Sequence, residues 1–256
     1  MEHKLLSNFH THTKRCMHAK GEDFEYVEGA IKAGIKRLGF SDHIAVPYDG
    51  GYISGIRMSM EEAYGYRESI ERLKSEYKSD IEIFAGFEME YFPNYFDKQM
   101  RMIEELDFEY LLLGQHHFIS EIDGPYFGSK TVEEGILTDY VDTVTEAMKT
   151  GKYLYLAHPD LCNFVGDTKI YKREMKRLCN NMKELNIPLE INGLGVLEGR
   201  HYPNETFFEL AKETGNSIVI GLDAHSPVQV MDTMNIEKCF RFAEKFGFEI
   251  VNEKLM

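Results

Sequence analysis

The sequence lacks the features that define several common protein classes. Its four cysteines, Cys16, Cys162, Cys179 and Cys239, are far apart and form no C-x-x-C pair. This pattern predicts free thiols in a reducing compartment rather than a disulfide framework. No apolar run approaches the ~18–20 residues that cross a bilayer, and the N-terminal residues do not resemble a signal peptide. We therefore expect a cytoplasmic protein that does not associate with membranes.

Positive charge is also scarce. The chain has 29 Lys and Arg against 43 Asp and Glu, a formal net charge of −14. Binding to a phosphate backbone draws its affinity from Lys and Arg, so this balance argues against a nucleic-acid partner. A small anionic substrate in a locally positive pocket stays compatible with it. The glycine motifs of P-loop and dinucleotide-binding proteins and the G-x-S-x-G motif are missing as well.

What the sequence does contain is a regular alternation of short apolar runs and longer amphipathic stretches. With 256 residues, 43% of them hydrophobic, and no linker or internal repeat, we expect a single domain over residues 1–256. Such an alternation predicts an α/β fold, either a closed barrel or a doubly wound parallel sheet. The predicted strands are Leu5–Phe9, Arg37–Ser41, Ile81–Phe87, Tyr110–Gly114, Tyr153–Ala157, Ile187–Ile191 and Ser217–Gly221, with a further candidate at Glu249–Val251.

The helical stretches carry recognisable end signals. Apolar residues from Val27 to Leu38 recur at the spacing of one buried helix face. Ser59-x-x-Glu62 and Thr131-x-x-Glu134 match the capping box, in which side chains and backbone N–H groups of the first turn pair reciprocally. Gly215 follows another helical pattern at the position where positive φ is common.

Charged and imidazole side chains follow six of the apolar runs. In parallel α/β folds the carboxyl ends of the strands face one side, so these side chains are expected to converge. A single histidine is more often a hydrogen-bonded core residue, but seven of the ten histidines lie at these ends. Desolvating so many polar groups together predicts a compensating metal centre. The segments are His10–His12, Asp42–His43, Glu88, Gln115–His117, His158–Asp160 and Asp223–His225.

Taken together, these segments resemble the PHP (polymerase and histidinol phosphatase) metal-dependent hydrolases, and within them the monofunctional histidinol-phosphate phosphatases. The matching motifs are H-x-H at His10 with His18 six residues after His12, S-D-H at His43, and G-F-E-M-E-Y around Glu88. L-G-Q-H-H-F, A-H-P-D-L and G-L-D-A-H-S-P follow in the family's order, up to residue 227. The resemblance implies a distorted (β/α)7 barrel of the PHP type with two to three divalent ions, Mn, Fe or Zn.

The resemblance also implies a ligand set. His10, His12, Glu88 and Asp223 would bind the first ion. Glu88 would bridge to a second ion, bound by His117 and His158, and the third ion would be held by His18, His43 and His225. Where the family commonly has G-S-V-H, this chain has Gly114-Gln115-His116-His117, so His117 takes the ligand position and His116 does not.

Such a centre favours a phosphate ester. Seven neutral imidazoles and two carboxylates around three divalent ions leave a charge of about +4, which suits a dianionic substrate. The implied reaction is in-line attack at phosphorus, with Glu88, Asp223 and Arg200 as the catalytic residues. Arg200 lies before Tyr202-Pro203, where the family has a basic residue, and Tyr202 and Arg57 are further candidates for substrate binding. A solvated surface role for Arg200 is equally compatible with its position.

The reaction we expect is hydrolysis of L-histidinol phosphate in histidine biosynthesis. The alternative is a PHP phosphoesterase acting on a phosphotyrosine protein, a nucleotide or a nucleic-acid end. A scaffold that binds metal without activity is disfavoured, because no ligand position of the family pattern is missing. The sequence does not indicate the oligomeric state.

Overall fold

A computed structural model describes residues 3–256 and contains one seven-stranded sheet with the strand order β1 to β7. The pairs β1–β2, β2–β3 and β5–β6 are parallel. The strands are β1 Ser7–Asn8, β2 Arg37–His43, β3 Glu82–Met89, β4 Tyr110–Leu113, β5 Tyr155–Leu156, β6 Leu189–Asn192 and β7 Ile218–Gly221. A parallel bridge between Thr11 and Ala224 brings the segment after β7 beside the segment after β1.

Helices connect the strands. Among residues 3–256, no helix combines the length and apolarity needed to cross a membrane. The helices are α1 Asp23–Ala33, α2 Glu62–Glu76, α3 Pro93–Glu105, α4 Glu134–Lys149, α5 Thr168–Glu184, α6 Gly193–Glu198, α7 Glu205–Thr214, α8 Pro227–Met231 and α9 Thr233–Lys245. Three short 3-10 turns lie at Lys14–Cys16, Asp49–Gly51 and Asn252–Lys254.

The chain forms two compact units, each built from several segments. Unit 1 comprises the described residues of Met1–Met89, together with Pro93–Leu112 and Gly221–Glu237. Unit 2 comprises Glu90–Phe92, Leu113–Ile220 and Lys238–Met256. In unit 1, α1 packs against α8, and Tyr26 of α1 and Phe40 of β2 are fully buried. In unit 2, α5 packs against α4 and α7, and Tyr140, Phe207 and Phe208 are fully buried.

Most of the predicted elements are present, and the differences have local causes. The predicted helix face from Val27 to Leu38 is shorter in the structure. The helix α1 ends at Ala33 because Gly34 adopts φ 81°, and Leu38 lies in β2. The eighth strand candidate is reduced to one parallel bridge between Ile250 and Ile218. Ser59 and Glu62 pair reciprocally as predicted.

The second capping box, at Thr131, does not form as predicted. The Thr131 hydroxyl accepts from the backbone N–H of Glu133 rather than from that of Glu134. Thr131 itself is drawn into a parallel bridge with Phe164, and α4 begins after Glu133 with no side-chain cap. Gly215, in contrast, takes φ 77° at the end of α7, as its position predicts.

One aromatic side chain determines how β2, β3 and β4 pack in unit 1. Tyr110 of β4 lies against two glycines of the neighbouring strands, Gly39 and Gly86, and its hydroxyl donates to the Phe9 carbonyl at 2.9 Å. A Cβ on Gly39 would lie 2.3 Å from the Tyr110 hydroxyl, and one on Gly86 would lie 2.5 Å from the ring. Both positions therefore require glycine for close approach rather than for backbone freedom.

We predict that Gly39→Ala destabilises the protein by ~1–3 kcal/mol, because the added methyl overpacks the contact with Tyr110. Gly65→Ala is the matched control: Gly65 lies in α2, and its Cβ would meet nothing within 4 Å. That change should stabilise the protein by about 0.5–1 kcal/mol through helix propensity. Denaturant unfolding of both variants measures the effect, and equal stability of the two would contradict the packing argument.

Candidate metal centre

Most of the predicted ligands lie at or just after the carboxyl ends of strands. His43 is the last residue of β2, Glu88 the penultimate residue of β3, and His158 follows β5. Unit 1 contains seven of the nine, and unit 2 contains the other two. Those of unit 1 are His10, His12, His18, His43, Glu88, Asp223 and His225, and those of unit 2 are His117 and His158.

Four of the unit 1 side chains converge on a small buried volume. His12 Nε2 lies 3.0 Å from Asp223 Oδ1 and 3.5 Å from Glu88 Oε2. His10 Nε2 lies 3.6 and 3.7 Å from the same two oxygens. The two histidines are fully buried, and the carboxylates are at most 5% exposed. Residues two apart in an extended segment point to the same face, and the H-x-H pair accordingly points both imidazoles at one pair of acids.

A second group of imidazoles adjoins this one. His43 Nδ1 lies 3.0 Å from Glu88 Oε2, so one carboxylate oxygen faces imidazoles from three positions. His18 and His225 bring their Nε2 atoms to 3.0 Å of each other. The ligand nitrogens of His18, His43 and His225 all lie within 4.8 Å of one another. His18 reaches the group from an exposed loop, whereas the others follow strands.

Electrostatics couples these groups strongly. Burial alone lowers the pKa of His12, but the carboxylates of Asp223 and Asp42 raise it well above its usual value. Burial alone raises the pKa of Asp223, but the charge of His10 and the close contact with His12 hold it well below its usual range. Burial and the charge of His12 lower the pKa of His225 to about 4. Asp223 and His12 thus each favour the charged form of the other, whereas the same surroundings favour the neutral form of His225.

The donor set fits a divalent transition metal. Metal–nitrogen and metal–oxygen bonds of about 2.0–2.2 Å place the ligand atoms of a tetrahedral ion about 3.3–3.6 Å apart. The distances from His10 and His12 to Glu88 and Asp223 span 3.0–3.7 Å. Both ring nitrogens of His12 are buried without a hydrogen bond of good geometry. Imidazole and carboxylate are also the ligand types that zinc, iron and manganese share.

Behind His12 lies Asp42, which is fully buried. Its Oδ1 is 3.5 Å from His12 Nδ1, and its Oδ2 accepts from the backbone and the hydroxyl of Thr13. Arg15 in turn donates to the Thr13 hydroxyl at 3.2 Å and pairs with Asp23 at 2.9 Å. This chain of contacts holds the ring of His12 with Nε2 directed at Asp223 and Glu88.

Cys16 lies in the turn between His12 and His18 and is fully buried. Its sulfur lies within 4.8 Å of ligand nitrogens of His12 and His225. Burial by itself raises the pKa of the thiol, but hydrogen bonds with His12 and His18 lower it to about 7. Sequence reasoning gave this residue no role, and its proximity to the imidazoles depends on the turn at Lys14–Cys16.

In unit 2, His158 is 2% exposed and has an unusual backbone, with φ 28°. Its N–H donates to Glu190 Oε2 at 2.8 Å, and the same oxygen accepts from Asn192 at 2.8 Å. The His158 ring lies 4.8 Å, centroid to centroid, from that of His116 and 5.9 Å from that of Tyr202. Glu190 of β6, itself held by Asn192, thus supports the backbone at His158.

The adjacent histidines of unit 2 face different neighbours. His117, the predicted ligand, has Nδ1 3.0 Å from Glu90 Oε1, and its ring lies 5.4 Å from the Tyr126 ring. His116 contributes the ring that contacts His158. The assignment of His117 rather than His116 as a ligand therefore stays a prediction.

Arg200, which the sequence predicts to be a catalytic residue, lies in unit 2, and its side chain is about one-third exposed. Its Nη1 donates to the Tyr202 hydroxyl at 2.6 Å, and its Nε and Nη2 contact Glu198 at 2.8 and 2.7 Å. Tyr202 is 3% exposed and links Arg200 to the ring of His158. The loop is anchored on both sides of Tyr202, because the backbone N–H of Asn204 donates to Asp160 and His201 Nε2 contacts the Leu161 carbonyl at 2.7 Å.

The other basic candidate, Arg57, is 2% exposed in unit 1. Its Nη1 donates to the carbonyl of Ile44, the residue after His43, at 3.4 Å. Its role in binding substrate stays a prediction.

Sequence reasoning gave no individual role to three carboxylates that adjoin the predicted ligands: Asp42, Glu90 and Glu190. Asp42 and Glu90 were visible inside the motifs S-D-H and G-F-E-M-E-Y, and Glu190 interrupts an apolar run. A carboxylate within a buried strand is costly to desolvate without donors, and that cost was the available signal.

The chain is similar over most of its length to proteins that are named histidinol-phosphatase. The chain is 27% identical over 248 residues to a protein named probable histidinol-phosphatase of Deinococcus radiodurans, covering 93% of this chain and 90% of that one. It is 22% identical to histidinol-phosphatase of Bacillus subtilis, covering 84% and 92% of the two chains.

Solved structures confirm the α/β barrel predicted from the sequence. A crystal structure of histidinol phosphate phosphatase from Lactococcus lactis subsp. lactis, complexed with zinc, L-histidinol and phosphate, superposes with a TM-score of 0.73. The identity is 19%, over 96% of this chain and 95% of that one. The shared fold is a seven-stranded, nearly closed parallel barrel. The PHP domain model matches residues 8–193, and the chain therefore belongs to the PHP-domain family.

Proposed function

We propose that the chain is a metal-dependent phosphomonoesterase that hydrolyses L-histidinol phosphate to L-histidinol and phosphate in histidine biosynthesis. The observation that carries the proposal is the convergence of His10, His12, His43, Glu88 and Asp223 within unit 1. Relatives that bear the name histidinol-phosphatase match nearly their whole length, which supports the choice of substrate.

Several residues of this chain would contribute to metal binding and to phosphate binding. Bound divalent ions would supply positive charge for the phosphate oxygens and would acidify water for attack at phosphorus. Glu88 and Asp223 would hold the ions and would orient the imidazoles that they contact. Arg200 offers a planar guanidinium for phosphate oxygens, and Tyr202 keeps it in place through their 2.6 Å hydrogen bond.

The deciding experiment is an assay of the purified protein, loaded with Mn²⁺, on a panel of phosphate esters. We expect two to three Mn, Fe or Zn ions per chain by elemental analysis, and the highest kcat/KM for L-histidinol phosphate. Faster cleavage of a phosphotyrosine peptide, a nucleotide or a nucleic-acid end would contradict the proposed substrate but not the proposed metal centre. Less than one ion per chain, with none taken up on addition of Mn²⁺ or Zn²⁺, would overturn both.

The first variant tests Glu88, whose Oε2 faces imidazoles from three positions. Glu88→Gln removes the charge and nearly preserves the shape, so we expect loss of at least one ion. The kcat should fall by at least ~100-fold, beyond the ~10–100-fold of residues that only orient ligands. Glu82→Gln, at the exposed start of β3, is the control and should change neither quantity. Full metal content with normal turnover in Glu88→Gln would show that Glu88 binds no ion.

The second variant tests Arg200. A hydrogen bond to a charged group contributes ~1.5–3 kcal/mol, so Arg200→Ala should lower kcat/KM by roughly 10–150-fold without loss of metal. Arg200→Lys should recover only part of this, because a point charge does not reproduce the guanidinium fork. Arg173→Ala, an exposed arginine paired with Glu134 and Glu174, is the control. Unchanged kinetics in Arg200→Ala would redirect the search to Arg57.

A further inference from the structure

Glu90 is the second glutamate of the G-F-E-M-E-Y motif, and the ligand set implied by the family resemblance assigns it no role. It is 2% exposed and belongs to unit 2. Its Oε1 contacts three nitrogens: the backbone N of His116 at 3.1 Å, the backbone N of His117 at 3.0 Å, and His117 Nδ1 at 3.0 Å. A buried carboxylate is thus surrounded by donors from the paired histidines.

This arrangement determines which nitrogen of His117 carries its proton. Glu90 Oε1 already accepts from two backbone N–H groups, so it meets the ring as an acceptor, and the contact at 3.0 Å places the hydrogen on Nδ1. Neutral imidazole carries one hydrogen, which leaves the lone pair on Nε2. In metalloproteins, a carboxylate that accepts from one ring nitrogen orients the imidazole and makes the other nitrogen more basic.

His116 is held differently. Its backbone N–H also donates to Glu90, but its Nδ1 is 3.7 Å from Glu90 Oε1, beyond hydrogen-bonding distance. Of the two adjacent histidines, His117 alone contacts Glu90 at hydrogen-bonding distance through both its ring and its backbone N–H. Its carbonyl is also fixed, since Gln115 Nε2 donates to it at 2.7 Å while Gln115 Oε1 accepts from Tyr91 at 2.8 Å. The segment after β4 is therefore held at both its N–H and C=O groups.

We propose that Glu90 is a positioning residue that holds His117 as the Nδ1–H tautomer and thereby makes Nε2 its metal-binding nitrogen. The proposal rests on the metal centre of the proposed function and adds to it the residue that selects between the adjacent histidines.

The first test measures the tautomer directly, in the metal-free protein at a pH where the imidazole is neutral. Long-range ¹⁵N–¹H NMR correlations of the histidine rings should show His117 as Nδ1–H in the wild type. In Glu90→Gln the Nε2–H form should appear. The Nε2–H form in the wild type would overturn the proposal, whether or not the variant folds.

The second test measures metal affinity by competition with a chelator, without substrate. Glu90→Gln should weaken the binding of one ion by about 10–100-fold. Glu146→Gln is the matched control, because Glu146 accepts from the Tyr91 hydroxyl at 3.0 Å and contacts no predicted ligand. Circular dichroism and thermal unfolding verify the fold of each variant. An unchanged affinity in Glu90→Gln would overturn the proposal.

A double-mutant cycle separates positioning from a general structural effect. The loss caused by Glu90→Gln should vanish in the His117→Ala background and persist in the His116→Ala background. An equal loss in both backgrounds, or one that vanishes only with His116→Ala, would overturn the proposal. None of these measurements uses histidinol phosphate. They therefore test the role of Glu90 even if the protein acts on another substrate.

Discussion

The structure of unit 1 depends on keeping two carboxylates and several imidazoles buried within a few ångströms of one another. Glu88 and Asp223 each face more than one imidazole at 3.0–3.7 Å. Burying a charged group costs several kcal/mol of solvation free energy unless nearby partners compensate for the loss of water. The opposite pKa shifts of His12 and Asp223 show that the side chains supply part of this compensation to each other.

Backbone strain appears at two of the predicted ligands. His158 has φ 28° and Asp223 has φ 51°, a region that costs about 1–3 kcal/mol for residues other than glycine. In unit 2 the backbone of His158 is held by Glu190, and in unit 1 the Thr11–Ala224 bridge holds the residue after Asp223. The surrounding hydrogen bonds therefore fix side-chain directions that a relaxed strand end would not take.

Much of this could be read from the sequence because the signals were local. Apolar runs followed by His, Asp or Glu located β2, β3, β5 and β7 and the side chains at their ends. Two-residue spacing placed His10 and His12 on one face. The contact between Glu90 and His117 could not be read in this way, because it joins the residues after β3 and β4. The burial of Arg57 depends on the path of the loop after β2, and Thr131 forms a bridge to Phe164 that overrides its capping motif.

The Thr11–Ala224 bridge has a consequence for the order of folding. It joins the segment that carries His10 and His12 to the segment that carries Asp223, and nearly the whole described chain lies between them. Contacts at such sequence separation close large loops and form late. During synthesis, His10, His12 and Glu88 emerge long before Asp223 can join them. Until then the nascent protein holds only part of the buried cluster, which is complete once the segment that carries Asp223 has been made.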